Sequence, residues 1–435
     1  MATQRAPARE IFGWAMFDFA NSAYTTVIVT VAYAPAFADV IVGDRERGNF
    51  LWSVALSVSY AIVMLTAPLL GALSDASGRK KQLLALSWIF TVLTTAALGV
   101  LRPGDAWLGV LLIALSNLGF AAGESFCAAF LPDLAPPEDL GRVSGMAWGL
   151  GYFGGLVATA AVLFGFGPFD SAHAENVAWI GPVTAAFFFF GALPTFALLR
   201  ERRPVVDVDV ASATREGLLR LRATFATLPQ WRDLTMFFAS LFFAQAGLSI
   251  VIAFTFIYGT QVIGWSDGTR TLTFIVTQLT AAFGAVAFGV LQDRVGARVT
   301  YACTLGLWVL AVFLIRFTNE LAGVVGLPAE TLFLGVGALA GSGLGATQSA
   351  GRTLVGLFSP PDQAGEMFGF WGMVGKLAAI VGVLGVGALQ LWVGLQDAIL
   401  FCGALFAAAL VLSFFVDERR GRARARAAAG PVAQV

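Results

Sequence analysis

Four ionisable residues, Asp18, Glu124, Arg352 and Lys376, each interrupt a long run of apolar residues. A charge in hydrocarbon costs roughly 2.5–3.5 kcal/mol on insertion scales, so each must find an opposite charge or face water. Two acids and two bases balance. Two kinds of chemistry fit such a set. The charges can pair and hold helices together, or a desolvated carboxylate beside a cation can pick up and release a proton. Other polar residues extend the pattern. Trp14, Asp18, Asn21 and Thr25 step i, i+4, i+7, i+11 along one helical face. Asn117 shares a face with Glu124, Gln348 shares one with Arg352, and Gln245 is a lone amide in its own apolar stretch.

These residues need apolar helices to position them. The 435-residue chain is 58% hydrophobic and 12% charged, with a mean hydropathy of +0.79; a soluble domain is about 25% charged. Apolar runs of about 20 residues, long enough to cross a ~30 Å hydrocarbon core, recur throughout. The pattern predicts an all-α membrane protein with twelve transmembrane helices, at 10–38, 50–73, 82–101, 106–131, 142–166, 176–199, 232–262, 269–291, 299–317, 329–357, 366–390 and 395–416. Residues 1–199 make one six-helix bundle, 200–231 a linker, 232–416 a second bundle and 417–435 a basic tail. The tail reads as a topology anchor. In the linker, Leu218-Leu219-Arg220-Leu221-Arg222 reads equally as a membrane-surface helix or a solvated tether. No signal peptide is evident, because the first apolar stretch runs on as a full span.

Basic residues set the orientation. With both termini in the cytoplasm, twenty of the 27 Lys and Arg lie inside, five outside, and Arg352 and Lys376 within spans. At ~1.5 Å per residue, Asp18, Glu124, Arg352 and Lys376 stand roughly 8–15 Å from the cytoplasmic ends of their helices.

The chain also repeats itself. Gly71-Ala72-Leu73-Ser74-Asp75-Ala76-Ser77-Gly78-Arg79-Lys80 is echoed 218 positions later by Gly289-Val290-Leu291-Gln292-Asp293-Arg294-Val295-Gly296-Ala297-Arg298. Pro136-Pro137-Glu138, Gly141, Gly145 and Gly151 return 224 positions on as Pro360-Pro361-Asp362, Gly365, Gly369 and Gly375. Two unrelated patterns at nearly one offset mark a duplicated six-helix unit.

Twelve spans, the six-plus-six repeat and the Gly-x-Leu-x-Asp-x-x-Gly-basic loop between helices 2 and 3 resemble the major facilitator superfamily. Within it, the chain resembles the vacuole-effluxer-like family, whose eukaryotic members act in amino acid efflux linked to autophagy. The stretches that carry this are Trp14-Ala15-Met16-Phe17-Asp18-Phe19-Ala20-Asn21-Ser22-Ala23, Phe130-Leu131-Pro132-Asp133 with Gly141-Arg142-Val143-Ser144-Gly145, and Gly375-Lys376. The resemblance implies that helices 1, 4, 7 and 10 line a central cavity and that helices 3, 6, 9 and 12 face lipid. It further implies that Asp75 sits against the amino end of helix 11 and Asp293 against that of helix 5. Arg79 would pair with Asp133, and Arg294 would belong to the second gate. The chain departs from the pattern at Ala76, where a basic residue is usual, at Cys127-Ala128 in place of a Tyr-Asn pair, and at Val383 in place of a proline.

These features imply a secondary transporter working by alternating access on a small polar solute, with an amino acid as the suggested cargo and protons as the coupling ion. Sugars, nucleosides and drugs are the alternative cargoes; a channel and a membrane enzyme are the rival classes. Asp18, Asn21, Thr25, Asn117, Glu124, Gln245, Gln348, Arg352 and Lys376 form the expected substrate and coupling site. Asp75, Arg79, Asp133, Asp293 and Arg294 form the expected gates. For the four buried charges the competing reading is purely structural, with Asp18–Lys376 or Glu124–Arg352 as the ion pairs. No nucleotide-binding, nucleophile or metal-ligand motif is present, so no enzyme activity, cofactor or metal is expected. Zero net charge gives no reason to expect nucleic acid. The expected partners are solute, protons and lipid bilayer, with the chain a monomer in a bacterial inner membrane.

Overall fold

The structure is a computed structural model that describes residues 4–202, 219, 222, 231–360 and 362–428. The Leu218–Arg222 segment falls largely outside the described residues. Those residues form helices and no strands. The spans are α1 (Ala8–Val31 with Tyr33–Val42), α2 (Arg45–Ser77), α3 (Lys80–Val100), α4 (Ala106–Leu134), α5 (Leu140–Phe166), α6 (Ala174–Leu198), α7 (Arg232–Ile263), α8 (Gly268–Val295), α9 (Ala297–Arg316) and α10 (Ala329–Phe358). A 51-residue helix, Ala364–Phe414, is broken by Gly394 at φ 77°, a backbone state that favours glycine. It supplies α11 (364–393) and α12 (395–414). The predicted count of twelve therefore holds among the described residues.

Helix ends follow local chemistry. Asp44 caps α2, its side chain accepting from Arg47 N at 2.9 Å, and Ser266 accepts from Thr269 N at 3.2 Å where α8 begins. Several helices outrun their apolar runs. The first is seen over 8–42 rather than 10–38, and the second over 45–77 rather than 50–73. Backbone hydrogen bonding does not stop at the hydrocarbon boundary, so polar residues simply continue the helix.

α1 is not a regular helix. It bends by 43° and winds as π-helix over Tyr24–Val31 and Phe37–Val42. The Thr30 hydroxyl accordingly donates to the Thr25 carbonyl five residues back, at 2.9 Å. The wider turn begins at Tyr24, so Thr25 lies at its start and is half-buried. The i, i+11 step in the sequence assumed an unbroken α-helix.

α4, α7 and α10 are buried over 61, 56 and 50% of their most apolar stretches. α8 is buried over only 28% and α3 over 33%, leaving the rest for lipid. The repeat is visible in the packing: α2 lies along α11, and α5 along α8. At both seams glycine lets backbones touch. A methyl on Gly71 would stand 2.1 Å from the Gly365 carbonyl oxygen, and one on Gly145 would stand 2.3 Å from that of Ala285. These seams lie at the end of the bundle that carries both termini and most basic residues, here called the basic end.

Two elements were not anticipated. Thr318–Val325 forms a short helix between α9 and α10. The basic tail, expected only as an anchor, forms α13 (Glu418–Ala428). Arg420 grips the Asp233 carboxylate through Nε and Nη2, both at 2.7 Å, and Gly421 and Ala425 are buried. The Arg420 charge sits higher in pKa than usual, held mainly by its hydrogen bond to Asp233.

Candidate substrate and coupling site

Arg352 is the centre of the site. It projects from α10 within a stretch, Ala350 to Phe358, whose residues are all buried. Its guanidinium donates through Nη1 to Asp18 Oδ2 at 2.6 Å. Nε donates to Ser144 Oγ at 3.1 Å and Nη2 to the Ser144 carbonyl at 2.9 Å. Trp14 and Trp148 lie against its charge, with ring centroids 4.9 and 5.2 Å away. The Trp14 ring is fixed in turn, its Nε1 donating to the Cys127 carbonyl at 2.7 Å. A planar fork between two indoles uses geometry that a lysine lacks. The Arg352 side chain is 3% exposed and that of Asp18 is 15% exposed. One acid from α1, one hydroxyl from α5 and one base from α10 thus tie the first six spans to the last six. Removing one partner of such a pair strands the other, at a cost of about 3–5 kcal/mol.

The ion pair is therefore Asp18–Arg352, and neither pairing of the competing structural reading, Asp18–Lys376 or Glu124–Arg352, is the one formed. Counting rise per residue places four charges at similar depth; it does not say which helices meet there. Glu124, half-buried on α4, lies within electrostatic reach of Lys376, Asp18 and Arg352. Among the described residues no ion pair within 4.0 Å includes Glu124 or Lys376. The Lys376 ammonium instead lies over the rings of Tyr60 and Phe120, 5.1 and 6.0 Å from their centroids.

The remaining expected residues divide. Gln245 Nε2 donates to Gln348 Oε1 at 3.2 Å, joining α7 to α10, and both are half-buried beside the centre of the bundle. Asn21 is buried, and its Oδ1 has no hydrogen-bond partner among the described residues. Asn117 is committed elsewhere: its amide donates to Ser59 Oγ at 2.5 Å, a buried bond between α4 and α2 of the kind that glues membrane helices. Sequence reasoning missed Ser144, Trp148, Tyr60 and Phe120. Ser144 falls within the Gly141–Gly145 motif and so carried a signal. The two α2 and α4 aromatics carried none, because nothing distinguishes them from lipid-facing rings.

The gates follow the repeat. Asp75 Oδ2 accepts from Glu366 N at 2.8 Å, at the start of α11. Asp293 accepts from Gly141 N at 2.9 Å and Arg142 N at 3.0 Å, at the start of α5. Both carboxylates meet a helix amino terminus, where orphan N–H groups and the helix dipole favour negative charge. The cation on Asp133 is Lys80, at 3.2 Å, rather than Arg79. Gly78, at φ 64°, ends α2, and Arg79 is the residue before α3 begins. The first residue inside α3, Lys80, is then the one aimed inward. Its side chain is fully buried, and it also donates to the Ala129 carbonyl at 3.2 Å. Lys81 also has a fixed role, with Nζ on the Leu199 carbonyl at 2.5 Å. Arg294 is exposed at the end of α8. Among the described residues no group of three or more metal-ligating side chains forms a site.

Residues 45–426 match the family described as vacuole effluxer Atg22-like. The chain belongs to that family. It is 26% identical over 424 residues to the MFS-type transporter YxiO of Bacillus subtilis, covering 93% of this chain and 94% of the relative. It is 24% identical over 314 residues to a proline/betaine transporter assigned in Staphylococcus haemolyticus, covering 70% of this chain and 64% of that one. In fold it is similar to the human organic anion transporter MFSD10, with a TM-score of 0.70, 19% identity, and coverage of 94 and 100%. It is also similar to the proton:xylose symporter XylE, with a TM-score of 0.69, 12% identity, and coverage of 95 and 96%. The family member is a multi-pass membrane transporter of small solutes with the major facilitator fold, and not an enzyme.

Proposed function

We propose that this transporter carries a small zwitterionic solute of the amino acid class across a bacterial inner membrane, coupled to protons, with its basic end in the cytoplasm. The observation that carries the reading is the Asp18–Arg352 pair, which spans the two halves beside a half-buried acid, Glu124, and a half-buried base, Lys376. A zwitterion offers one charge to each. A proton on Asp18 removes the charge that Arg352 answers and frees α10 from α1. That makes protonation a difference between conformations, which is what coupling requires. The proline/betaine and ectoine/proline transporters among its relatives are named for zwitterions, which supports the same class. The twenty basic residues that the sequence assigns to the loops and tails of one side support the orientation.

The test is flux in reconstituted vesicles. Asp18→Asn should abolish accumulation driven by a pH gradient while solute exchange without a gradient persists. Gradient-driven accumulation equal to that of the unmodified protein would refute coupling through Asp18.

A further inference from the structure

Lys376 is met by aromatic rings rather than by a carboxylate. Its ammonium comes from α11, in the second half, and rests on two rings of the first half, Tyr60 of α2 and Phe120 of α4, at 5.1 and 6.0 Å. The Phe120 ring is packed from its own half. Tyr24 of α1 stacks on Phe120 with centroids 4.9 Å apart and planes at 22°, and its hydroxyl is hydrogen bonded to Ser116 Oγ at 2.7 Å. Toward the basic end the seam shuts within one turn: a methyl on Gly372 would stand 2.8 Å from Ser125 Oγ and 3.8 Å from Ala67 Cβ. Beside Lys376 it is open: apart from its chain neighbours and its own helix backbone, no atom lies within 4 Å of where a Gly375 methyl would stand. No carboxylate lies within ion-pairing distance of the ammonium among the described residues, although Glu124 is within electrostatic reach.

A lysine on a four-carbon tether is a strongly hydrated point charge and gains little from ring faces. A methylated or ring-closed ammonium sheds less water and suits such faces better, which is how aromatic cages recognise quaternary ammonium ligands. We infer that Tyr60 and Phe120 form the subsite for the cationic head of the substrate, that this head is a fully substituted ammonium such as that of a betaine, and that Lys376 occupies the subsite when substrate is absent. The inference rests on the zwitterion reading above and narrows it.

Binding to the purified full-length protein tests it without invoking flux or protons. Three probes suffice: tetramethylammonium, glycine betaine, and 3,3-dimethylbutanoate, which has the shape of glycine betaine without its positive charge. Glycine betaine should bind at least about tenfold tighter than 3,3-dimethylbutanoate, within the roughly 2- to 30-fold that cation–π contacts contribute. Phe120→Leu should weaken tetramethylammonium by a similar factor, and Phe120→Tyr, which keeps the ring, should not. Lys376→Gln should tighten tetramethylammonium, because the resident cation is gone. Equal binding of the betaine and its uncharged-head analogue would overturn the inference. So would weaker tetramethylammonium binding in Lys376→Gln, or unchanged binding in a Phe120→Leu protein that melts normally. Coupled flux of a sugar would sink this subsite while leaving proton coupling standing, and loss of coupling alone would do the reverse.

Discussion

The two seams that close the basic end share one backbone recipe and differ in charge. At the first, Gly71, Ser74 and Asp75 of α2 surround Gly365 at the start of α11; at the second, Gly289, Gln292 and Asp293 of α8 surround Gly141 at the start of α5. Each position matches its repeat partner. The side chains around them do not behave alike. Asp75 is 1% exposed and lies 3.8 Å from the fully buried ammonium of Lys80, which reaches on to Asp133. Asp293 is half-buried and answers two backbone N–H groups. The repeat counterpart of Lys80 is Arg298, and it turns away: Nε donates to the Ser413 carbonyl at 3.0 Å, and the guanidinium lies 5.4 Å from the Phe414 ring centroid. Ser74 donates to the Gly71 carbonyl at 2.8 Å, whereas both amide atoms of the buried Gln292 have no hydrogen-bond partner among the described residues. Duplication preserved the glycine contact and the carboxylate on a helix start. It did not preserve the buried cation. The buried cation of the first seam lies wholly within the first half, bridging α2, α3 and α4, whereas the carboxylate–backbone bonds are what cross each seam.

The largest effects should be steric and equal at both seams, since both rest on glycine. Gly71→Ala and Gly145→Ala each drive a methyl into a carbonyl oxygen, at 2.1 and 2.3 Å. Each should reduce transport to near background and open the basic end to thiol-reactive probes. If only one variant does so, the seams are not equivalent in packing. The next effect should separate them. Asp75→Asn loses the charge at the α11 amino end and the more distant of the two carboxylates around Lys80, which keeps Asp133 at 3.2 Å, and should destabilise the closed state by the upper part of about 1–3 kcal/mol. Asp293→Asn loses charge-assisted bonds with no buried cation beside them and should cost the lower part of the same range of about 1–3 kcal/mol. Thermal melting in detergent measures the order, and a larger loss for Asp293→Asn would reverse the comparison. Lys80→Arg cannot fit an enclosed site shaped for an ammonium and should behave like Asp75→Asn, while Arg298→Lys should be nearly silent. The smallest effect belongs to α13. Arg420 is largely exposed, so Arg420→Ala should shift melting by the ~0–1 kcal/mol of a surface pair and leave transport rates unchanged.

Much of this was legible in the chain. Apolar length gave the twelve spans, the double echo at 218 and 224 positions gave the repeat, and the family resemblance implied the places of both gate carboxylates. Four charges in apolar runs marked the site. What could not be read was which side chain reaches which. Choosing Lys80 over Arg79 depends on the single left-handed turn at Gly78. Pairing Arg352 with Asp18 depends on how closely α10 approaches α1 and α5. The π-helical winding of α1 is announced by no residue in Tyr24–Val31. The tail looked like a row of arginines because its anchoring partner, Asp233, lies 187 positions earlier in the chain than Arg420.

Alternating access itself is most directly tested by a distance across the second seam. Spin labels at Glu138→Cys and Arg294→Cys, both exposed at the basic end on opposite halves, in a background with Cys127, Cys303 and Cys402 replaced, report whether α5 and α8 part. The account predicts one short distance in the resting protein and a second, longer population when the external side is acidified in the presence of glycine betaine. A single unchanged distance under every condition, in protein that still transports, would contradict it.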